Sequence, residues 1–299
     1  MSLSPDSGRA GGRARPPRGE GRPGGEGRPG GEGRPGGPGR PGGPRRRPPR
    51  QVEVVDVRPL TPRMVSVVFA GESLTGFAEP APTAHIKLFL PDADGNVARP
   101  VAGPDGRLAW PGGRPVMRTY TPRRFDAEAG TLEVWFVLHG DGPAARRAAL
   151  AAPGSRAAIG GPGGRFSVDP TATSWWIGGD ESALPAIATL LEALPDGVTG
   201  QVHLEAEGPE DRIALPASAG VEVTWHDRAG EPGAALVDAL HRARLADDAH
   251  VWIACEASAV RKARSYLLVD RVRPRSQVTT RGYWRVGEAD HPDHDYGED

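Results

Sequence analysis

Arg118-Thr119-Tyr120-Thr121-Pro122-Arg123 stands inside a run, Val116 to Phe125, that reads as one β-strand. Side chains on a strand alternate between its two faces. Arg118, Tyr120 and Pro122 are therefore expected on one face, and Thr119, Thr121 and Arg123 on the other. A ring offers a stacking surface and a guanidinium holds phosphate through two parallel hydrogen bonds, so a planar, phosphate-bearing cofactor suits this stretch. The plainer alternative is an edge strand with an exposed tyrosine and two solvated arginines.

Working outward, the segment before this stretch and just after it is a series of short strand-like runs: Val52–Val57, Met64–Ala70, His85–Leu90 and Thr131–Leu138. Turns such as Pro91-Asp92-Ala93-Asp94-Gly95 and Pro111-Gly112-Gly113 separate them. Short strands at this spacing, with no helix-length segment among them, imply a small antiparallel β-barrel over residues 51–168. His139-Gly140-Asp141-Gly142-Pro143-Ala144-Ala145 then opens a helix reading Ala144 to Ala152. Glycine and proline at a helix start leave backbone N–H groups at the positive end of the helix dipole, which suits a phosphate and equally suits an ordinary cap. Gly160 to Phe166 is too rich in glycine for regular structure and is either a tight turn leaving the barrel or a backbone cradle near a ligand, taken first as the loop that exits the domain.

Over residues 171–290 strands alternate with helices, which implies a parallel sheet covered by helices. The strands are Ser174–Ile177, Gln201–Ala206, Val221–Trp225, Val251–Ala254 and Gln277–Tyr283, and the helices Ala183–Leu194, Ala234–Arg244 and Ala257–Asp270. Ligands of such sheets bind outside the carboxyl ends of the strands. There stand Gly178-Gly179-Asp180-Glu181-Ser182-Ala183 and Cys255-Glu256-Ala257-Ser258, whose glycines would let a ligand approach and whose serines are placed to cap the next helix.

Charge is unevenly placed. Residues 1–50 carry 12 Arg against four acids, whereas residues 51–299 carry 25 Lys and Arg against 34 Asp and Glu. The first fifty residues repeat Arg-Pro-Gly-Gly from Arg22, Arg28, Arg34 and Arg40 and have almost nothing apolar to bury, so they read as a disordered tail. Such a tail is either a solvated low-complexity extension or an electrostatic contact for nucleic acid or anionic lipid. The single cysteine, Cys255, excludes a disulfide framework and fits a reducing compartment. No apolar run is long enough for a membrane span and no secretory leader is apparent, so a cytoplasmic protein is expected; it is also expected to be a monomer. No metal site is expected either: His291, Asp293, His294 and Asp295 read as a solvated acidic and histidine-bearing end over 291–299.

Five stretches, in order, are similar to the siderophore-interacting proteins, a family of ferredoxin-reductase-like flavoproteins that reduce ferric siderophores. They are Arg118 to Arg123; Val137-Leu138-His139-Gly140 with Gly142-Pro143-Ala144; Gly161-Pro162-Gly163-Gly164; Gly179 to Ile187; and Gly282-Tyr283-Trp284-Arg285-Val286-Gly287. The resemblance implies an FAD-binding barrel followed by an NAD(P)H-binding α/β half. It also implies residue roles. Arg118 would pair with a flavin phosphate, Tyr120 lie against the ring system and Thr121 bond near its reactive edge. His139, Gly142, Pro143 and Ala144 would hold the FAD pyrophosphate. Gly179, Asp180, Glu181, Ser182 and Ala183, with Cys255 and Glu256, would meet the nicotinamide nucleotide, and Trp284 would cover the flavin's nicotinamide side or lie in the core. Arg228 and Arg212 are candidates for a 2′-phosphate, with Glu205 and Glu207 opposing one; the family leans to NADPH over NADH. Lys262 and Arg261 are candidate contacts for an anionic ferric siderophore, or a solvated helix face. The activity implied is NAD(P)H-dependent release of siderophore iron as Fe(II). The alternatives are a flavin reductase delivering electrons to ferredoxin or a quinone, ferredoxin as the electron donor, and a siderophore-binding protein without turnover. Arg147 departs from the family's usual tryptophan.

Overall fold

In the computed structural model the described residues, 48–92, 94–103, 108–139, 142–289 and 291, build two sheets that fall within one unit, Pro44–Asp299. Residues 1–47 of the proposed tail, and all of the acidic end except His291, lie outside the described residues, while Arg50, expected at the end of the tail, opens the first strand.

The first sheet uses β1 (Arg50–Thr61), β2 (Met64–Ala70) and β3 (His85–Phe89); a minor ribbon of β4 (Val101–Ala102) and β5 (Leu108–Ala109) stands apart. It continues with β6 (Met117–Tyr120), β7 (Pro122–Asp126), β8 (Thr131–Val137) and, after helix α1 (Pro143–Ala149), β9 (Arg156–Gly163). Its order is β6-β3-β9-β1-β2-β8-β7. Thr121 alone separates β6 from β7, yet these two strands lie at opposite ends of that order. Residues so close in the chain cannot be far apart in space, so the sheet must roll up until its two ends meet at Thr121. Period-two burial fills the inside: Leu132, Val134 and Phe136 of β8 point inward against Val54, Val67, Phe69, Ile86 and Ile159.

Two expectations fail here. Val116 to Phe125 is not one strand, because β6 pairs with β3 and β7 with β8, so alternation stops at Thr121. The glycine-rich stretch is a loop only from Gly164 to Phe166. Its first half, Gly160 to Gly163, is the end of β9, a strand between β3 and β1. Glycine is needed there because neighbouring rings lie on the backbone: an added Cβ would stand 3.2 Å from Phe89 Cε2 at Gly160 and 2.8 Å from His85 Nε2 at Gly163.

The second sheet is parallel, in the order β12-β11-β10-β13-β14, from β10 (Ser174–Asp180), β11 (Thr199–Ala206), β12 (Val221–Asp227), β13 (His250–Glu256) and β14 (Val278–Trp284). Its inner strands β10 and β13 are buried along nearly their whole length, as helix cover on both faces demands. Helix α2 (Leu184–Ala193) covers one face, with Leu184, Ile187 and Leu190 against Ile177, Leu204 and Trp252. Helices α3 (Ala234–Arg242) and α4 (Ala257–Ser265) cover the other, around Trp176, Ile253 and Leu240.

The halves are joined by a shared core. Met64 is buried in the α2-side cluster, and Leu60, Trp135 and Val137 from the outside of the first sheet pack against it. Arg123 binds Glu192 of α2 through two hydrogen bonds, 3.0 and 2.7 Å, and lies 5.1 Å over the Trp135 ring. It therefore serves this join rather than a cofactor.

Candidate functional site

The carboxyl ends of the parallel strands carry the site's polar groups. The chain builds outward from β10 through β11 to β12, then returns to the far side of β10 with β13 and β14. The switch point therefore falls between β10 and β13, whose last residues are Asp180 and Glu256.

Both acids turn back onto the chain. Asp180 Oδ1 accepts from Ser182 N at 3.0 Å and from the Ser182 hydroxyl, while Oδ2 accepts from Trp284 Nε1 at 2.7 Å. Glu256 accepts from Ser258 N at 2.6 Å and Ala259 N at 3.1 Å, and from Val286 N at 3.4 Å. The helix caps are thus Asp180 and Glu256, and the serines expected in that role are their donors. Through Trp284 and Val286 the same two acids hold the end of β14 and the residues just after it beside the switch point.

Burial raises the Asp180 carboxyl to about 6, Glu181 adding to the rise while Ser182, Trp284 and Arg228 oppose it. An acid whose folded-state pKa is raised destabilises the fold when ionised. The penalty is present above about pH 6 and gone below the ordinary value of 3.8. Asp180→Asn lacks this titration, and its amide cannot accept from all three donors. Its stability, followed by urea unfolding, should sit below that of the natural protein at pH 4. It should lack the natural protein's fall of up to about 3 kcal/mol between pH 4 and 6.5. Parallel pH profiles would remove Asp180 as the titrating group.

The other residues expected to meet a nucleotide have turned inward. Gly179 is filled by the protein itself, since an added Cβ would stand 2.7 Å from both Ala183 Cβ and Ile187 Cδ1; Gly178 is likewise pressed by the Trp176 ring at 2.6 Å. Neither glycine is there to let a ligand in. Ala183 is core, and so is Cys255, which packs beneath α3 and α4 with a thiol pushed well above its usual pKa by burial. Cys255 is thus no surface residue of the strand end. Arg228 reaches three carboxylates: Glu181, Glu205 at 3.1 Å and Glu207 at 3.0 Å. Arg212 is paired with Asp227 at 2.6 Å. Lys262 is exposed and paired with Glu231 at 3.0 Å, and Arg261 is exposed on the same helix.

On the barrel, Arg118, Tyr120 and Thr121 gather where its two ends meet. The Tyr120 ring packs at 4.4 Å against Phe136, so one side belongs to the barrel core, and burial raises its phenol pKa against the lowering effect of Arg118. The hydroxyl therefore stays protonated and remains a donor. Arg118 is half-buried and donates to Met117 O at 2.8 Å; Thr121 is buried. His139 is exposed and donates through Nδ1 to Val137 O at 3.1 Å. Gly142 caps the seven-residue α1 with no side-chain bond, and Pro143 occupies its first turn. Arg147 ties α1 to the carbonyl of Asp92. Cation, hydroxyls and backbone N–H groups form a donor set that fits a phosphate-bearing cofactor.

Among the described residues no three His, Cys, Asp or Glu side chains gather as metal ligands, and no helix is long and apolar enough to cross a membrane. Two features lacked any spacing signal: the bond from Asp180 to Trp284, and Gly233 N donating to Glu205 at 2.8 Å.

A rolled antiparallel barrel joined to a doubly wound parallel sheet is the ferredoxin-reductase-like fold. Residues 53–166 match the siderophore-interacting FAD-binding domain, and residues 172–287 match the siderophore-interacting protein family. The chain belongs to the siderophore-interacting protein family. It is 30% identical to the ferric vibriobactin reductase ViuB of Vibrio cholerae, over 83% of this chain and 93% of that protein. It is 29% identical to an NADPH-dependent ferric-chelate reductase of Escherichia coli, over 79% and 93%. A siderophore utilization protein from T. fusca, solved by crystallography, superposes with a TM-score of 0.75 at 35% identity, covering 82% of this chain and 96% of that one.

Proposed function

We propose that this protein is an FAD-containing, nicotinamide-nucleotide-dependent reductase of ferric siderophores that releases iron as Fe(II). The observation that carries this reading is the order of the two halves within one unit, an FAD-binding barrel and then a siderophore-interacting α/β half, with names among the relatives that specify ferric reductases.

Arg118 is assigned to a flavin phosphate, with His139 and the amides of Gly142 to Ala144 around the pyrophosphate. Tyr120 offers the side of its ring that Phe136 leaves uncovered, and Thr121 a hydroxyl donor, to the ring system. Trp284, held by Asp180, stands on the nicotinamide side. When bound, FAD accepts an electron pair as hydride and passes electrons on singly, which matches a two-electron donor to a one-electron acceptor. The chain's own part is to hold donor and acceptor in turn at this surface and to keep water from between them. The ferric siderophore is the substrate, and its hard oxygen ligands hold Fe(II) less tightly than Fe(III). The cytoplasm suits this step, since iron is then free for use.

The test is an anaerobic absorbance titration. Flavin bands should bleach on adding NADH or NADPH and return on adding a ferric hydroxamate, with Fe(II) trapped as its ferrozine complex. Bands that return without ferrozine colour would assign the electrons to a different acceptor. Protein that takes up no FAD would remove the reductase reading altogether.

A further inference from the structure

The edge of the parallel sheet next to the switch point carries more negative charge than its cations can answer. Beyond Asp180 at the end of β10 and Glu181 just after it, β11 ends in Glu205-Ala206 followed by Glu207, and β12 ends in Asp227 followed by Arg228. In a doubly wound sheet a nucleotide placed at the switch point sends its adenosine past the end of the second strand. There an acidic side chain accepts from the ribose 2′-hydroxyl, or a spare arginine takes a 2′-phosphate. In this sheet the second strand is β11.

Of the three arginines at this edge, Arg228 and Arg212 are hydrogen-bonded to carboxylates, and Arg63 makes only long ion pairs, its buried Nε having no hydrogen-bond partner. Arg228 binds Glu181, Glu205 and Glu207 at once, and its side chain is 14% exposed. Arg212 is held by Asp227 at 2.6 Å. Arg63, reaching over from the barrel, lies 3.8 Å from Glu207 and 4.0 Å from Asp211, and its backbone N–H donates to Asp211 at 3.2 Å. The pair His203 and His226, on the same face of β11 and β12, adds no positive charge at neutral pH. Burial pushes His203 down to about 4 and lowers His226, with Arg242 acting in the same direction on both. Arg242 itself lies about 12 Å along α3 from the Gly233 end. Two buried oxygens, Glu205 Oε2 and Asp211 Oδ2, have no hydrogen-bond partner, whereas Glu207 is half exposed and keeps acceptor capacity toward solvent.

We propose that the β11 end of this protein is built for the free ribose diol of NADH, with Glu207 accepting from it, and that it rejects the 2′-phosphate of NADPH. This rests on the reductase reading above and names the donor that reading leaves open. A 2′-phosphate placed here would meet Glu207 and Glu205 with Arg228 and Arg212 already hydrogen-bonded to carboxylates and Arg63 shared between Glu207 and Asp211. Freeing Arg228 to meet it would strand two buried carboxylates. A diol carries no charge to repel and brings donors to a carboxylate that can accept them.

The adenosine half alone tests this without any electron transfer. The FAD-loaded protein is titrated by calorimetry with 5′-AMP and with 2′,5′-ADP, and separately reduced with NADH and with NADPH under anaerobic conditions. Binding of 5′-AMP should be at least about tenfold tighter, matched by at least about tenfold faster bleaching with NADH. Glu207→Gln, which removes one repelling charge and loosens one hold on Arg228, should narrow both ratios to within about threefold. Tighter binding of 2′,5′-ADP, or equal rates with the two nucleotides, would overturn the inference and leave the reductase reading intact. So would a ratio that Glu207→Gln leaves unchanged, or the absence of binding by both mononucleotides. Failure of the reductase reading itself shows separately, as FAD reduced by dithionite that a ferric hydroxamate does not reoxidise.

Discussion

Replacing Arg118 by alanine is expected to leave the protein folded and to weaken FAD binding by about 30- to 150-fold, equivalent to about 2–3 kcal/mol. The side chain is half-buried at the end of β6, one of its N–H groups donates to Met117 O, and its charge acts on Tyr120. A guanidinium so fixed meets a phosphate with little further ordering, whereas lysine would bring charge without the planar fork. Arg118→Lys should therefore recover only part of the loss. Fluorescence titration of FAD into the apoprotein measures both variants, and an undiminished affinity in Arg118→Ala would move the phosphate site elsewhere.

Arg228→Ala should destabilise the fold by about 3–5 kcal/mol, because removing one partner of a buried ionic cluster leaves the others uncompensated. Glu205 and Glu181 have side chains only 0% and 4% exposed, so water cannot replace the lost guanidinium. Glu205 would keep only the amide of Gly233. Urea denaturation at pH 7 reads the loss, and part of it should return at lower pH, where carboxylates are neutralised. A loss below about 1 kcal/mol would class the cluster with solvent-screened surface pairs.

The parts legible in the sequence were those with a periodic cause. Leu132, Val134 and Phe136 alternate with outward residues, and β10 and β13 read as buried runs, so a barrel followed by an α/β half was foreseeable. What stayed hidden depends on partners distant in the chain. Gly160 and Gly163 look like a loop until Phe89 and His85 of β3 are laid across them. Thr121 looks like mid-strand until the pairing partners on either side prove different. At the candidate site, the position of the strand-end residues could be read, but their direction could not. Gly179, Ala183 and Cys255 face the core, and Arg228 is claimed by three acids on two neighbouring strands. Such contacts follow from strand order, which spacing alone does not encode.

The meeting of the barrel's ends at Thr121 carries a thermodynamic consequence. β6 and β7 are like the two free ends of a strap, fastened by a single residue that sits between Tyr120 and Pro122. A cofactor held by Arg118, Tyr120 and Thr121 would rest on that buckle, so opening the strap and releasing the cofactor become one equilibrium. With free FAD a hundredfold above its dissociation constant, the linkage would add about 2.7 kcal/mol to the closed barrel. Cells short of flavin would then hold not merely an idle protein but one whose first half is easier to undo.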